Sequence, residues 1–247
     1  MSIYRQLDAG KIVLTSQTLR NRVAERFPES GLSKVAAEVQ SVAQESIERL
    51  QWIKKPQKGL RFGVYLLTAG VLAVFVVLLS SLDRPNWKEP GNFIQVLEAG
   101  LSAMFFIGAS VVFLLTWESR IKRTRALRAI HELRAMAHLV DMHQLTKDPD
   151  ALDFGRVDTA SSPTRSLTMS QLSRYLDYCS ELLSMISKIA ALYAQGLEDP
   201  VVLNAVDDVE DLSSELSQKI WQKISILDSI KFRESRDPGT IKAESQP

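Results

Sequence analysis

Residues 62–82 read FGVYLLTAGVLAVFVVLLSSL and residues 99–117 read AGLSAMFFIGASVVFLLTW: runs of 21 and 19 positions without one charged side chain. A helix rises about 1.5 Å per residue, so twenty residues cover roughly 30 Å, the thickness of a bilayer's hydrocarbon core. Each run meets that length alone, and the pattern predicts two spans, over about 62–82 and 93–117. The alternative is a pair of core helices in a soluble protein. The flanks favour the spans. Lys54, Lys55, Lys58 and Arg61 stand before the first, and Arg120, Lys122, Arg123, Arg125 and Arg128 follow the second. In the connector, Arg84 and Lys88 balance Asp83 and Glu89. The excess of basic residues on one side predicts both termini in the cytoplasm and a short external turn built around Pro85, Pro90 and Gly91. Trp87 and Trp117 fall at span ends, where amphipathic rings favour the headgroup layer.

The whole chain conceals these runs. Its 247 residues include 30 Lys+Arg against 29 Asp+Glu, a net charge of +1, with one cysteine. That balance argues against a nucleic-acid partner held by bulk electrostatics. A single cysteine excludes a disulfide framework and any multi-cysteine metal site, and Cys179 suits a reducing compartment. The first run begins some sixty residues in and lacks a cleavage pattern, so it reads as an anchor rather than a signal peptide. Charge is distributed unevenly. Residues 1–61 carry 11 basic and 6 acidic side chains, residues 118–147 carry 7 and 3, and residues 148–247 carry 10 and 17. Positive charge lies beside the proposed spans, where an anionic inner leaflet attracts it, and negative charge lies far along the chain.

No strand pattern stands out, and the chain reads as all-α. Residues 1–29 form an N-terminal segment with a short helix over 12–27. An amphipathic helix follows in residues 30–56, with Leu32, Val35, Val39, Val42, Ile47, Leu50 and Ile53 on one stripe and Ser30 or Ser33 as cap. Pro56 and Gly59 are expected to break it. The two-span hairpin occupies residues 60–117. The second span is expected to run on as a cytoplasmic helix through residues 118–147, because no Pro or Gly interrupts it. Residues 148–166, DPDALDFGRVDTASSPTRS, read as a linker. Residues 167–233 form an antiparallel helical hairpin. Its stripes are Leu172, Leu176, Cys179, Leu183, Ile186, Ala190 and Tyr193, then Val202, Val206, Val209, Leu212, Leu216, Ile220, Ile224, Leu227 and Ile230. Gly196 is expected as the C-cap of the first arm, and Asp199-Pro200 as the start of the second. Residues 234–247 read as a disordered tail. A hairpin leaves its stripes half covered. Helix 30–56 and the extended second span would complete a four-helix cytoplasmic bundle, and copies of the same chain are the other candidate partners.

Several clusters invite a chemical reading. His131 and His138 share a helix face with Arg134 and Asp141, with His143 elsewhere on the helix. A metal site, a pH sensor and a proton relay are the functional readings, and a polar structural stripe is the alternative. The fixed charge of Arg134 opposes a bound cation, and two turns separate the histidines by about 10 Å, too far to share one ion. The weight therefore falls on structure. Asp207, Asp208, Glu210 and Asp211 fan out around their helix and do not converge on an ion, which leaves a solvated acidic face or a docking surface for a basic segment. In the second span Gln95, Glu98, Ser102, Phe105, Ala109 and Thr116 fall within one sector. Repeated around a symmetry axis they would line a polar path, and otherwise they are packing contacts. Ala69/Ala73 and Ala99/Ala103 have the spacing that lets span helices approach closely. Cys179 lies on an apolar stripe and reads as core. No nucleophile–base pair, phosphate loop or metal motif is present, so no enzyme activity, cofactor or metal is expected.

The lead helix, LRFGVYLLTAGVLAVFVVLLSSL, the short turn and a second span running into LTWESRIKRTRALRAIHELRAMAHL together resemble the bacterial two-span SLATT-type membrane effectors. The likeness is one of architecture across residues 30–146. It implies an effector that perturbs membranes in defence systems. The residues themselves point to an oligomeric membrane anchor or interaction scaffold of the bacterial inner membrane, with a cytoplasmic protein partner on the helical hairpin. A pore or channel gated by the cytoplasmic helices is the alternative.

Overall fold

In the computed structural model the described residues are 6–55, 58–81, 90–147, 149 and 167–236. They form six α-helices and no strand: α1 (Ala9–Arg26), α2 (Gly31–Lys54), α3 (Lys58–Ser81), α4 (Pro90–Leu145), α5 (Met169–Gly196) and α6 (Pro200–Arg236). The chain divides into two compact units. One comprises Met1–Lys54 with Ala126–Pro247, and the other Lys55–Arg125.

The first unit holds the core. Asp8 caps α1 by accepting from the Gly10 and Lys11 amides, so this helix begins at Ala9 rather than at residue 12. A short turn with Glu29 at φ 62° leads into α2, whose start is capped by the Ser30 hydroxyl accepting from the Ser33 amide at 3.1 Å. At α5, Thr168 and Gln171 form a reciprocal capping box. Asp199 Oδ1 accepts from the Val201 and Val202 amides at 3.0 and 3.4 Å, and Pro200 supplies the first residue of α6. These caps satisfy amides that a helix start leaves without partners.

The bundle has five helices, not four, because α1 joins it. Val23 and Leu19 are buried, Phe27 packs edge-on to Tyr175 and Tyr178 of α5, and Arg22 both pairs with Glu181 at 2.8 Å and lies over the Tyr178 ring. Residues 126–145 of α4 contribute Ala126, Ile130, Leu133, Ala137 and Val140 to the core. Arg49 of α2 reaches Glu132 of α4 at 2.6 Å. Lys223 of α6 donates to the Gln144 carbonyl of α4 at 2.9 Å, and Lys147 Nζ stands 5.5 Å from the Tyr175 ring centre. Each fully buried Leu, Ile or Val contributes roughly 1.5–3 kcal/mol, so the interlocked stripes dominate the stability of this unit.

Several expectations need correction. Gly196 does not take a left-handed C-cap conformation: no glycine among the described residues has positive φ, and the cap is Leu197 in extended conformation. A Cβ at position 196 would stand 3.0 Å from Leu50 Cδ2, so the glycine is there for the close approach of α2. Helix α2 ends at Lys54, as the break expected at Pro56 and Gly59 requires, but Gly59 itself lies in the first turn of α3, which starts four residues before Phe62. Pro90, Gly91 and Asn92 belong to α4 rather than to a turn, because proline suits the first helical position. Helix α6 extends to Arg236, past the expected limit of 233. Pro56, the connector positions 82–89, the linker 148–166 except the buried Pro149, and the tail positions 237–247 lie outside the described residues. Helix α4 is one helix from Pro90 to Leu145, and the first unit takes it from Ala126.

Candidate functional site: the uncovered apolar helices

The second unit, Lys55–Arg125, inverts the usual relation between hydropathy and burial. Among its described side chains none is buried. Phe62, Tyr65, Leu66, Leu72 and Val76 of α3 are exposed, as are Ile94, Leu101, Met104, Phe105, Phe106, Val112 and Phe113 of α4. Met104 reaches 75% exposure, where an ordinary core methionine is covered. Monomeric proteins in water rarely expose a contiguous apolar surface of this kind. The helical stretch Gly100–Leu145 contains a window long and apolar enough to cross a membrane, and none of that window is buried. Among the described residues there is one such helix, and the expected span over 62–82 does not add a second.

Local geometry within α4 suits an apolar surrounding. The Thr116 hydroxyl donates to the Val112 and Phe113 carbonyls, both at 2.9 Å, so it is satisfied by its own helix. Phe113 packs against Trp117 with ring centres 5.3 Å apart. Immediately beyond, Glu118 and Lys122 pair one turn apart at 2.8 Å, where the apolar run gives way to charge.

Of the sector singled out in the sequence, Glu98, Ser102, Phe105, Ala109 and Thr116 are all exposed on α4, and the Gln95 side chain lies outside the described ones. A second line was read from the sequence only at Ala103. Gly100, Ala103, Ile107 and Ser110 are half-covered, at steps of three and four, with Val111 beside them. The small size of Gly100, Ala103 and Ser110 was the available signal. Ala69 and Ala73, expected at a close contact, are exposed. Of the flanking basic residues, Lys55, Arg120 and Arg125 are exposed, Arg123 is half-covered and Lys122 is paired with Glu118. The side chains of Lys54, Lys58 and Arg61 lie outside the described ones.

The histidine cluster sits on the five-helix unit. His131, Arg134 and His138 are exposed, and Arg134 leans to Asp208 of α6 at 3.9 Å. Asp141 accepts from the Gln144 side-chain amide at 2.6 Å. His143 is half-covered beside Gly31 at the start of α2. Among the described residues no three His, Cys, Asp or Glu side chains converge as a metal site would require. Cys179 is fully buried, and burial pushes its thiol up to about 12, so it carries no thiolate at neutral pH.

No protein-family model, no curated protein and no solved structure matches this chain.

Proposed function

We propose that this chain is an integral membrane protein of two spans, over about 62–82 and 93–117, that presents its five-helix unit at the cytoplasmic face of a bacterial inner membrane. Its role is that of an oligomeric anchor and interaction scaffold, with both termini cytoplasmic and a cytoplasmic protein as partner of the α5–α6 hairpin. One observation carries this reading: none of the described side chains of residues 62–117 is buried and most of the apolar ones are exposed, whereas the other unit has a buried apolar core. In water each exposed Leu or Phe forgoes roughly 1.5–3 kcal/mol of burial, and a bilayer supplies that burial. The basic flanks, including Arg120, Lys122, Arg123 and Arg125, fit an anionic inner leaflet.

Carbonate extraction of vesicles carrying the full chain tests the anchor. The protein is expected to stay in the membrane pellet, and release into the supernatant overturns the reading. Protease confined to the outer side should leave the α5–α6 hairpin intact, and cleavage there overturns the orientation.

A second reading is a pore or channel effector, the activity that the resemblance to SLATT-type proteins would bring. Glu98, Ser102 and Ala109, exposed along one face of an otherwise apolar helix, favour it. The Thr116 hydroxyl, already engaged with its own backbone, weighs against it. Ion conductance in planar bilayers separates the two. A conductance whose size or selectivity changes in Glu98→Gln supports the pore, and none in the unmodified chain removes it.

A further inference from the structure

Helix α4 is seated differently from the other helices of its unit. The backbones of α5 and α6, α1 and α2, α2 and α5, and α1 and α5 approach one another closely, with Cα atoms within 8 Å. The part of α4 from Ala126 onward makes no comparable approach to any helix. Its buried face is also light. Leu133 and Val140 are fully covered, but Ala126, Ala129 and Ala137 fill much of the rest, and an alanine removes little apolar surface from water. Helix α5, by contrast, buries large side chains over a broad face, among them Tyr175, Leu182, Leu183, Ile186 and Ile189.

Much of what ties α4 to its neighbours is polar. Glu132 pairs with Arg49 of α2 at 2.6 Å, Arg134 leans to Asp208 of α6 at 3.9 Å, and the Gln144 carbonyl accepts from Lys223 of α6 at 2.9 Å. The two ion pairs are partly exposed, so water can replace either partner at small cost. Two buried polar atoms at the seat are poorly served. Gln144 Oε1 and the hydroxyl of Tyr193 on α5, the latter beside Arg49 and Glu132, have no well-formed hydrogen bond among the described residues. A buried polar atom in that state carries a desolvation penalty, and water reaching an opened seat would relieve it.

We propose that residues 126–145 of α4 are a releasable strap, which leaves the bundle while α1, α2, α5 and α6 stay packed. The four remaining helices keep the close pairings of the unit: two hairpins, α1–α2 and α5–α6, joined where α5 meets α1 and α2. The strap lies against α2 at Arg49 and against α6 at Asp208 and Lys223, and these are the contacts that release breaks. Because α4 is a single helix from Pro90 to Leu145, the element that the bundle can let go is the one that carries an exposed apolar run. Seated and released strap are two states of one element, and a partner that binds one of them better shifts the balance between them. The proposal concerns packing inside the five-helix unit and stands without the membrane reading.

Hydrogen exchange of the full chain in detergent micelles, read by mass spectrometry on peptic fragments, tests it. Amides of residues 126–145 are expected to exchange at least tenfold faster than those of residues 182–193 in α5, with a weaker dependence on low concentrations of urea. Glu132→Gln removes the pair with Arg49 and is expected to speed exchange over 126–145 roughly threefold while leaving 182–193 unchanged. Arg22→Gln, which breaks the comparable pair between α1 and α5, is expected to leave 126–145 unchanged. Equal rates and equal urea dependence over the two stretches would mean that the unit opens only as a whole, and that result overturns the proposal. So does a Glu132→Gln chain in which both stretches speed up alike, or one in which 126–145 does not respond.

Discussion

Lys223 Nζ donates to the Gln144 carbonyl oxygen at 2.9 Å, so a cation from α6 sits at the last turn of α4. Helix ends leave carbonyls without intrahelical partners, and the partial negative charge there favours a cation. The contact also fixes the side of α4 that α6 occupies.

Replacing that cation tests its role. Lys223→Met keeps the aliphatic stem and removes the donor. A hydrogen bond to a charged group is worth about 1.5–3 kcal/mol, and partial exposure places this one at the lower end. Thermal unfolding followed by far-UV circular dichroism should show a lower midpoint, with little change in helix content at low temperature.

Leu133 is fully buried and Leu139 is exposed, six residues apart on one helix. Leu133→Ala is expected to cost about 2–5 kcal/mol through lost burial and a residual cavity. Leu139→Ala should cost far less in the unassembled chain. Equal effects in denaturant titrations would mean that α4 does not enter the bundle on the face described.

Gly196→Ala probes a close contact rather than a backbone constraint. The added Cβ meets Leu50 Cδ2 at 3.0 Å while the backbone conformation suits any residue. Overpacking of this kind costs about 1–3 kcal/mol, offset by the better helix propensity of alanine. In a Leu50→Ala background the same substitution should cost less. A double-mutant cycle on unfolding free energies measures that coupling, and additive costs would point back to a conformational role for the glycine.

Burial raises the Cys179 thiol from its ordinary 9.0 to about 12, and burial also raises Tyr175 and Tyr193. The folded state therefore holds these protons longer than the unfolded chain does. Their contribution to stability is fully present below pH 9 and is lost as pH rises through the folded-state values. Unfolding midpoints should be flat in this respect at neutral pH and fall progressively above pH 9. A thiol reagent at pH 8 should leave Cys179 unmodified until denaturant opens the bundle.

Much of this architecture is legible along the chain. The stripes on α2, α5 and α6 name most of the residues that those helices bury, because a side chain's face is set by the 3.6-residue turn, but they miss the wider buried face of α5 that takes in Tyr175, Tyr178, Leu182, Met185, Ile189 and Leu192. Ser30 and Asp199-Pro200 mark helix starts because their caps act over three residues. The polar sector around Glu98 is likewise a matter of spacing. What was not legible is how faces pair. The stripe of α1 is short and carries Ser16, and its packing against α2 and against Tyr175, Tyr178 and Glu181 of α5 makes it part of the core. The role of Gly196 depends on Leu50, a residue 146 positions away in sequence.

The sequence by itself determined an all-helical chain, the inward face of most helices, and two uncharged runs long enough to cross a bilayer. Only the tertiary structure decided that five helices share one core, that α4 joins it from Ala126 onward, and that none of the described side chains in the apolar runs is buried. The physical reason is range. Helix propensity, capping and amphipathic periodicity act within one or two turns, whereas the choice of partner for a buried face is made by packing between segments that are distant along the chain.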